Sequence, residues 1–195
     1  MGAGTISISN LLSLGHSPGA MLAGEYFFYF MLYSFLGWVL EGSYNLYSRG
    51  SFRKEGFLKG PFKPMYGFAP LLLLAAKDLH FPLLLIISLA FIIPSAVEFA
   101  SGWMLKSVFH KQWWDYSGMA YQLKGHICLK FSMYWWALAT ACIYGLQPLV
   151  ELLYLPVSAV WMLLLPLIAL VFAADLLWTW RIWRRGVKVL ELREG

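Results

Sequence analysis

Charge is what this sequence has least of. Asp, Glu, Lys and Arg make up 13% of its residues, against 60% hydrophobic and 18% aromatic, too few to cover a soluble domain, so the composition points to an integral membrane protein. Cysteine is also scarce. Cys128 and Cys142 are the only two, which excludes a disulfide scaffold, and on one expected helix they would stand roughly 21 Å apart, beyond bonding reach of each other. No glycine-rich phosphate loop ending in Lys-Ser or Lys-Thr occurs, so any ATP hydrolysis would have to come from another chain. Residues 1–23 contain no Lys or Arg, and the apolar segment after them is too long for a cleaved leader. His126 and Cys128 would point in different directions on a helix, and nothing nearby completes a ligand set. No metal or other cofactor is expected.

What the chain does have is apolar length. At about 20 residues per crossing, 195 residues allow roughly five spans and leave no room for a soluble catalytic domain. The expected fold is all-α, a polytopic transmembrane bundle with spans at about 25–46, 64–79, 82–105, 126–146 and 157–180. A short, poorly ordered tail, 1–23, precedes the helical domain, 24–183, and a basic tail, 184–195, follows it. The net charge of +5 suits orientation in a lipid bilayer better than binding to nucleic acid. Arg49, Arg53, Lys54, Lys59 and Lys63 crowd the first loop, further basic residues sit in the third loop and the C-terminal tail, and the stretch Gln147–Pro156 has none. By the positive-inside bias the N-terminus lies outside and the C-terminus in the cytoplasm.

Polar residues inside the spans mark the candidate site. Ser34, Gly37, Glu41 and Tyr44 recur at steps of three and four, as do Ser95, Glu98 and Gly102, so each set lies on one helical stripe. A carboxylate within a span costs about 2.5–3.5 kcal/mol on insertion scales and is tolerated mainly when paired or in a wet cavity. Glu41 and Glu98 therefore read either as a substrate or ion site, or as pins that hold loop backbone. Asp175 reads as a third buried carboxylate or as a local partner of Arg181. Between the third and fourth spans, Asp115 and Tyr116 follow a Trp pair at the expected membrane boundary, and His126 opens the fourth span; Asp115 reads either as a turn cap or as a ligand contact. The sequence Leu58-Lys59-Gly60-Pro61-Phe62 after Glu41 is echoed by Leu123-Lys124-Gly125-His126-Ile127 after Glu98. A parallel two-helix repeat is one reading of that echo, and coincidence is the other.

Several of these motifs carry a family resemblance. Tyr33-Ser34-Phe35-Leu36-Gly37-Trp38 with Glu41, Gly60 to Gly67, Glu98, Trp113 to Ser117, and Gly125 to Leu129 together resemble the bacterial membrane family called putative ABC-transporter type IV. Met65 and His126 depart from that pattern, which more often has Ile and Arg there; a His in place of Arg would make a charge pairing depend on pH. The resemblance implies a permease component in a bacterial cell membrane, acting as a homo-oligomer or with a separate ATP-binding subunit. Glu41, Glu98, Asp115, Tyr116, His126 and Asp175 are then the candidate substrate contacts. Two other readings stand beside it: an intramembrane lipid-modifying or lipid-binding enzyme with a carboxylate as base and His126 as acid, and a non-transporting scaffold or sensor. No nucleophile and base at a diagnostic spacing supports the enzyme. The orientation is testable with reporter fusions: a C-terminal reporter should be active only in the cytoplasm, and an active external reporter there would overturn it.

Overall fold

The computed structural model describes residues 17–53 and 56–194, and the chain is mostly helical. Helix α1 runs Pro18–Arg49. Ser17 caps it by accepting from the Ala20 N–H at 3.2 Å, and Pro18 occupies the first turn, where a missing N–H costs nothing. Gly50, with φ 72°, ends it by returning its N–H to the Leu46 carbonyl. Residues 18–23, expected in the tail, are therefore helical because the Ser-Pro pair starts the helix early. The rest of that tail, 1–16, lies outside the described residues. Helix α2 spans Pro64–Asp78 and α3 spans Leu83–Phe109.

α1 and α2 pack through small residues. A Cβ on Gly37 would meet the Tyr66 ring at 2.2 Å, and one on Gly67 would meet Ser34 Oγ at 2.5 Å, so the two helices touch where each lacks bulk. At the other end of this pair the Tyr26 hydroxyl donates to the Asp78 carboxylate. Ser34 and Gly37 are buried as the stripe predicts, but Tyr44 is 62% exposed. α2 begins opposite Glu41, and the last turns of α1 run on past it.

After α3 the chain forms a small antiparallel hairpin, β1 (Gln122–Leu123) and β2 (Ile127–Cys128). Its turn carries positive φ at Lys124 (51°) and Gly125 (72°) and is closed by the His126 N–H on the Leu123 carbonyl at 3.0 Å. Two positive φ values in sequence are what a tight hairpin turn requires. His126 and Cys128, expected on the fourth helix, thus lie on this hairpin, and α4 begins only at Leu129. The positive-φ turn cannot continue as a helix.

α4 (Leu129–Ala141) passes through a π turn (Cys142–Leu146) into α5 (Gln147–Glu194) without a break. Pro148 has no N–H to return to Tyr144, and the Gln147 N–H reaches Cys142 instead, which suits one wide turn at this point. The loop expected at Gln147–Pro156 is therefore helical. The run is not straight. Gln147 meets Tyr33 and Phe172 meets Phe30, yet a straight helix would separate Gln147 from Phe172 by roughly 37 Å. Contacts move along α1 from Tyr33 to Phe28 by Tyr154, reach Gly24 at Trp161, and return to Phe30 by Phe172. The run bends sharply between Tyr154 and Leu165, a stretch that contains Pro156.

The main core joins Tyr29, Tyr33, Leu73, Leu74, Ala90, Ala139, Ile143, Val150 and Tyr154. Outside it, Leu149, Leu152, Leu163, Leu167 and Leu170 are exposed. Among the described residues two helical runs, Leu83–Phe109 and Leu129–Val187, are long and apolar enough to cross a membrane. Gly37→Val should lower the apparent Tm in detergent, by an overpacking cost of about 1–3 kcal/mol. Gly19→Ala, where a Cβ meets nothing within 4 Å, is the control expected to leave it unchanged.

Candidate functional site

The site is built on two carboxylates. Pro64 starts α2 beside α1, where the Lys63 N–H donates to the Ser34 carbonyl at 3.0 Å. With Tyr66 lying on Gly37, its hydroxyl reaches one turn along α1 and donates to Glu41 Oε1 at 2.9 Å. The Lys63 ammonium pairs with Glu41 Oε2, and both side chains are largely buried. Glu41 therefore receives a cation and a phenol from the start of α2.

Glu98, buried on α3, is met from the opposite side. Tyr116 donates its hydroxyl to Oε1 and Trp135 of α4 donates its indole N–H to Oε2, each at 2.9 Å. The Trp135 ring in turn sits edge-on to Tyr66, with centroids 5.4 Å apart. Glu41, Tyr66, Trp135, Glu98 and Tyr116 thus form one continuous chain of contacts across α1, α2, α4, α3 and the loop before the hairpin.

The loop positions Tyr116 through its own polar groups. Asp115 accepts from the Ser117 amide at 2.9 Å and the Ser117 hydroxyl at 2.6 Å, and the Tyr116 N–H donates to the Gly125 carbonyl at 2.9 Å. The Ser117 hydroxyl, then its amide, hold the exposed Asp115 carboxyl below its usual range. A Cβ at Gly125 would strike Ser117 Oγ at 2.6 Å and Asp115 Oδ1 at 2.7 Å. Trp114 donates to the His126 carbonyl at 2.9 Å. The His126 ring packs on Phe99 and over Gly102, and its Nδ1 has no partner among the described residues.

Of the six expected contacts, three join this chain: Glu41, Glu98 and Tyr116. Asp115 and His126 shape the hairpin that delivers Tyr116. Asp175 lies apart, accepting from the Gly60 N–H at 3.0 Å and the Thr179 hydroxyl at 3.4 Å, where it ties the first loop to α5. Lys63, Tyr66 and Trp135 were not among the expected contacts. Lys63 reads from sequence as an orienting loop charge, and the two aromatics as ordinary membrane residues. No run of residues signals that they converge.

Two cavities flank the start of α2. The larger, about 360 Å³, lies among α1, α2, α3 and α4 and is lined by Tyr33, Gly37, Tyr66, Glu98, Trp135, Leu138 and Cys142, among others. The smaller, about 250 Å³, includes Glu41, Lys63, Phe57, Trp113 and Phe172. Met65 borders both.

Residues 28–180 match the family described as Putative ABC-transporter type IV. The chain belongs to that family. No curated protein and no solved structure matches it. The type IV match takes in every residue of the contact chain, and with the two long apolar runs it marks a membrane protein.

His126 supplies a pH test, since it lies on the hairpin outside the long helices. Burial, then the Lys106 cation, lower its pKa from the ordinary 6.5; Asp115 opposes this and Lys124 adds to it. Well above pH 6.5 both folded and unfolded chains hold it neutral and this contribution to stability is complete. As pH falls, the unfolded chain takes the proton first, and stability drops until the folded His126 also protonates. Apparent Tm should decline below about pH 6.5, and His126→Phe, which keeps a ring on Phe99, should flatten that limb.

Proposed function

We propose that this chain is the membrane-embedded component of an ABC-type transporter, with its solute path between an α1–α2 half and an α3–α4 half. In this reading it crosses the membrane five times: α1, α2, α3, α4 with the first part of α5, and the remainder of α5. The run Leu129–Val187 is 59 residues long, several times the thickness of one bilayer core, and its bend near Pro156 suits two crossings. The N-terminus lies outside and the C-terminus in the cytoplasm, following the basic loops.

The observation that carries the proposal is the contact chain from Glu41 through Tyr66 and Trp135 to Glu98. A carboxylate on each of two helices, linked by side chains of the two returning helices, couples the halves at one level. Such a link can transmit a change at one half to the other, and the neighbouring cavities give a solute somewhere to sit. Because the chain has no phosphate-binding loop, the energy source in this reading is a separate ATP-binding protein.

Affinity purification of the tagged chain in mild detergent tests this. A protein with a phosphate-binding loop should co-purify in fixed stoichiometry, and Glu98→Gln should retain it while altering its ATP hydrolysis. Recovery of the chain alone, or as a homo-oligomer even after cross-linking, would sink the transporter reading.

A further inference from the structure

We infer that the larger cavity is a binding site for a lipophilic organic cation whose charge is delocalised and which carries no hydrogen-bond donor. The assignment names a substrate class for the transport reading and rests on it for its role in the cell. At about 360 Å³ the cavity falls within the range of small-molecule sites, and nearly all of its wall is carbon. A sugar, amino acid or nucleotide would give up hydrogen bonds to water there and recover few.

The wall also carries a sign. Glu98 borders the cavity and is buried, with 3% of its surface exposed. Tyr116 and Trp135 present protons to its two oxygens, the arrangement that solvates an anion without water. Each oxygen thus holds a donor, and so little of the carboxylate reaches the cavity surface that what Glu98 offers a ligand is field more than an acceptor. In a low-dielectric wall that field acts across several ångströms. The ammonium of Lys63 lines the other cavity and is paired with Glu41. Tyr33, Tyr66 and Trp135 add aromatic rings to the same wall, and such rings attract a cation most strongly when it is poorly hydrated. An anion meets the wrong field, and a neutral hydrocarbon gains nothing from it. A compact ammonium would find too little acceptor surface in this wall to replace its water. A diffuse cation matches all three features: carbon wall, aromatic rings and a buried carboxylate behind them.

Equilibrium binding of radiolabelled tetraphenylphosphonium to the purified full chain in detergent tests the assignment, with its near-isosteric anion tetraphenylborate as competitor. The expected result is a saturable component that unlabelled tetraphenylphosphonium displaces and tetraphenylborate does not. Glu98→Gln, which removes the charge at constant volume, should weaken binding by about tenfold or more. Leu138→Trp, which fills the cavity and leaves every carboxylate in place, should abolish it. Absence of a saturable component, equal competition by the borate, or unchanged affinity in Leu138→Trp would overturn the site. Should Glu98→Gln fail to fold, Leu138→Trp and the charge-reversed competitor still decide it. The measurement needs neither a gradient nor a partner. Lost binding with the ATP-binding protein still co-purifying sinks the ligand class alone, while retained binding without that protein leaves the site standing and removes the transporter.

Discussion

Two carboxylates in apolar surroundings set the terms for this fold. Each would cost about 2.5–3.5 kcal/mol within a bilayer if left to itself, and neither is left to itself. Glu41 takes donors from Lys63 and Tyr66, and Glu98 from Tyr116 and Trp135. Those four residues come from three stretches far apart in the chain. Satisfying the carboxylates therefore fixes where α2 begins, where the loop after α3 must fold back, and which face of α4 turns inward.

Other features follow as conditions for those contacts. Tyr66 reaches Glu41 because Gly37 leaves room for its ring, and α2 comes that close because Gly67 accepts Ser34 and Phe30. Tyr116 reaches Glu98 because the hairpin turn at Lys124 and Gly125 closes tightly against Asp115 and Ser117. His126 fills the space that Gly102 opens beneath that hairpin. Asp175 does a related job elsewhere, accepting a backbone N–H from the first loop. Outside this interior the exposed leucines of α5 face away from the core, the arrangement expected where lipid replaces water as the solvent.

Much of the helical layout was legible because long apolar runs stand out in the sequence. α2 and α3 lie within a few residues of their expected spans, and Ser95, Glu98 and Gly102 are all buried as their spacing implies. Where expectation failed, a local signal outweighed composition. Ser17 and Pro18 start α1 early. The polar content of Gln147–Pro156 suggests a loop, but a π turn beside Pro148 carries the helix through it. The hairpin was hidden because its strands are two residues long, and its decisive feature is backbone φ at Lys124, which no hydropathy pattern encodes. The carboxylates were readable as anomalies, and Tyr116 was read with them because it stands in a polar loop between apolar segments. The other donors were not: Lys63 reads as one loop charge among several, and a Tyr or Trp in an apolar helix is unremarkable until its partner is known.

The two halves meet their carboxylates differently, and the difference bears on how the site could work. On α1 the carboxylate is met by Lys63, just before α2, and by Tyr66 in its first turn, so those contacts can shift as a unit with the ion pair intact. On α3 the donors are a tyrosine from a loop and a tryptophan from α4, so moving α4 relative to α3 must stretch the Trp135 bond or carry Tyr116 along. The Tyr66 ring against Trp135 is where the halves touch within this network. An aromatic edge contact is worth about 0.5–1.5 kcal/mol, less than breaking the buried pair between Lys63 and Glu41. Within this network that contact is therefore the cheapest to give up, and it lies on the wall of the larger cavity. In the proposed reading, a ligand lodged there would press on the weakest link of the network that joins the two carboxylates.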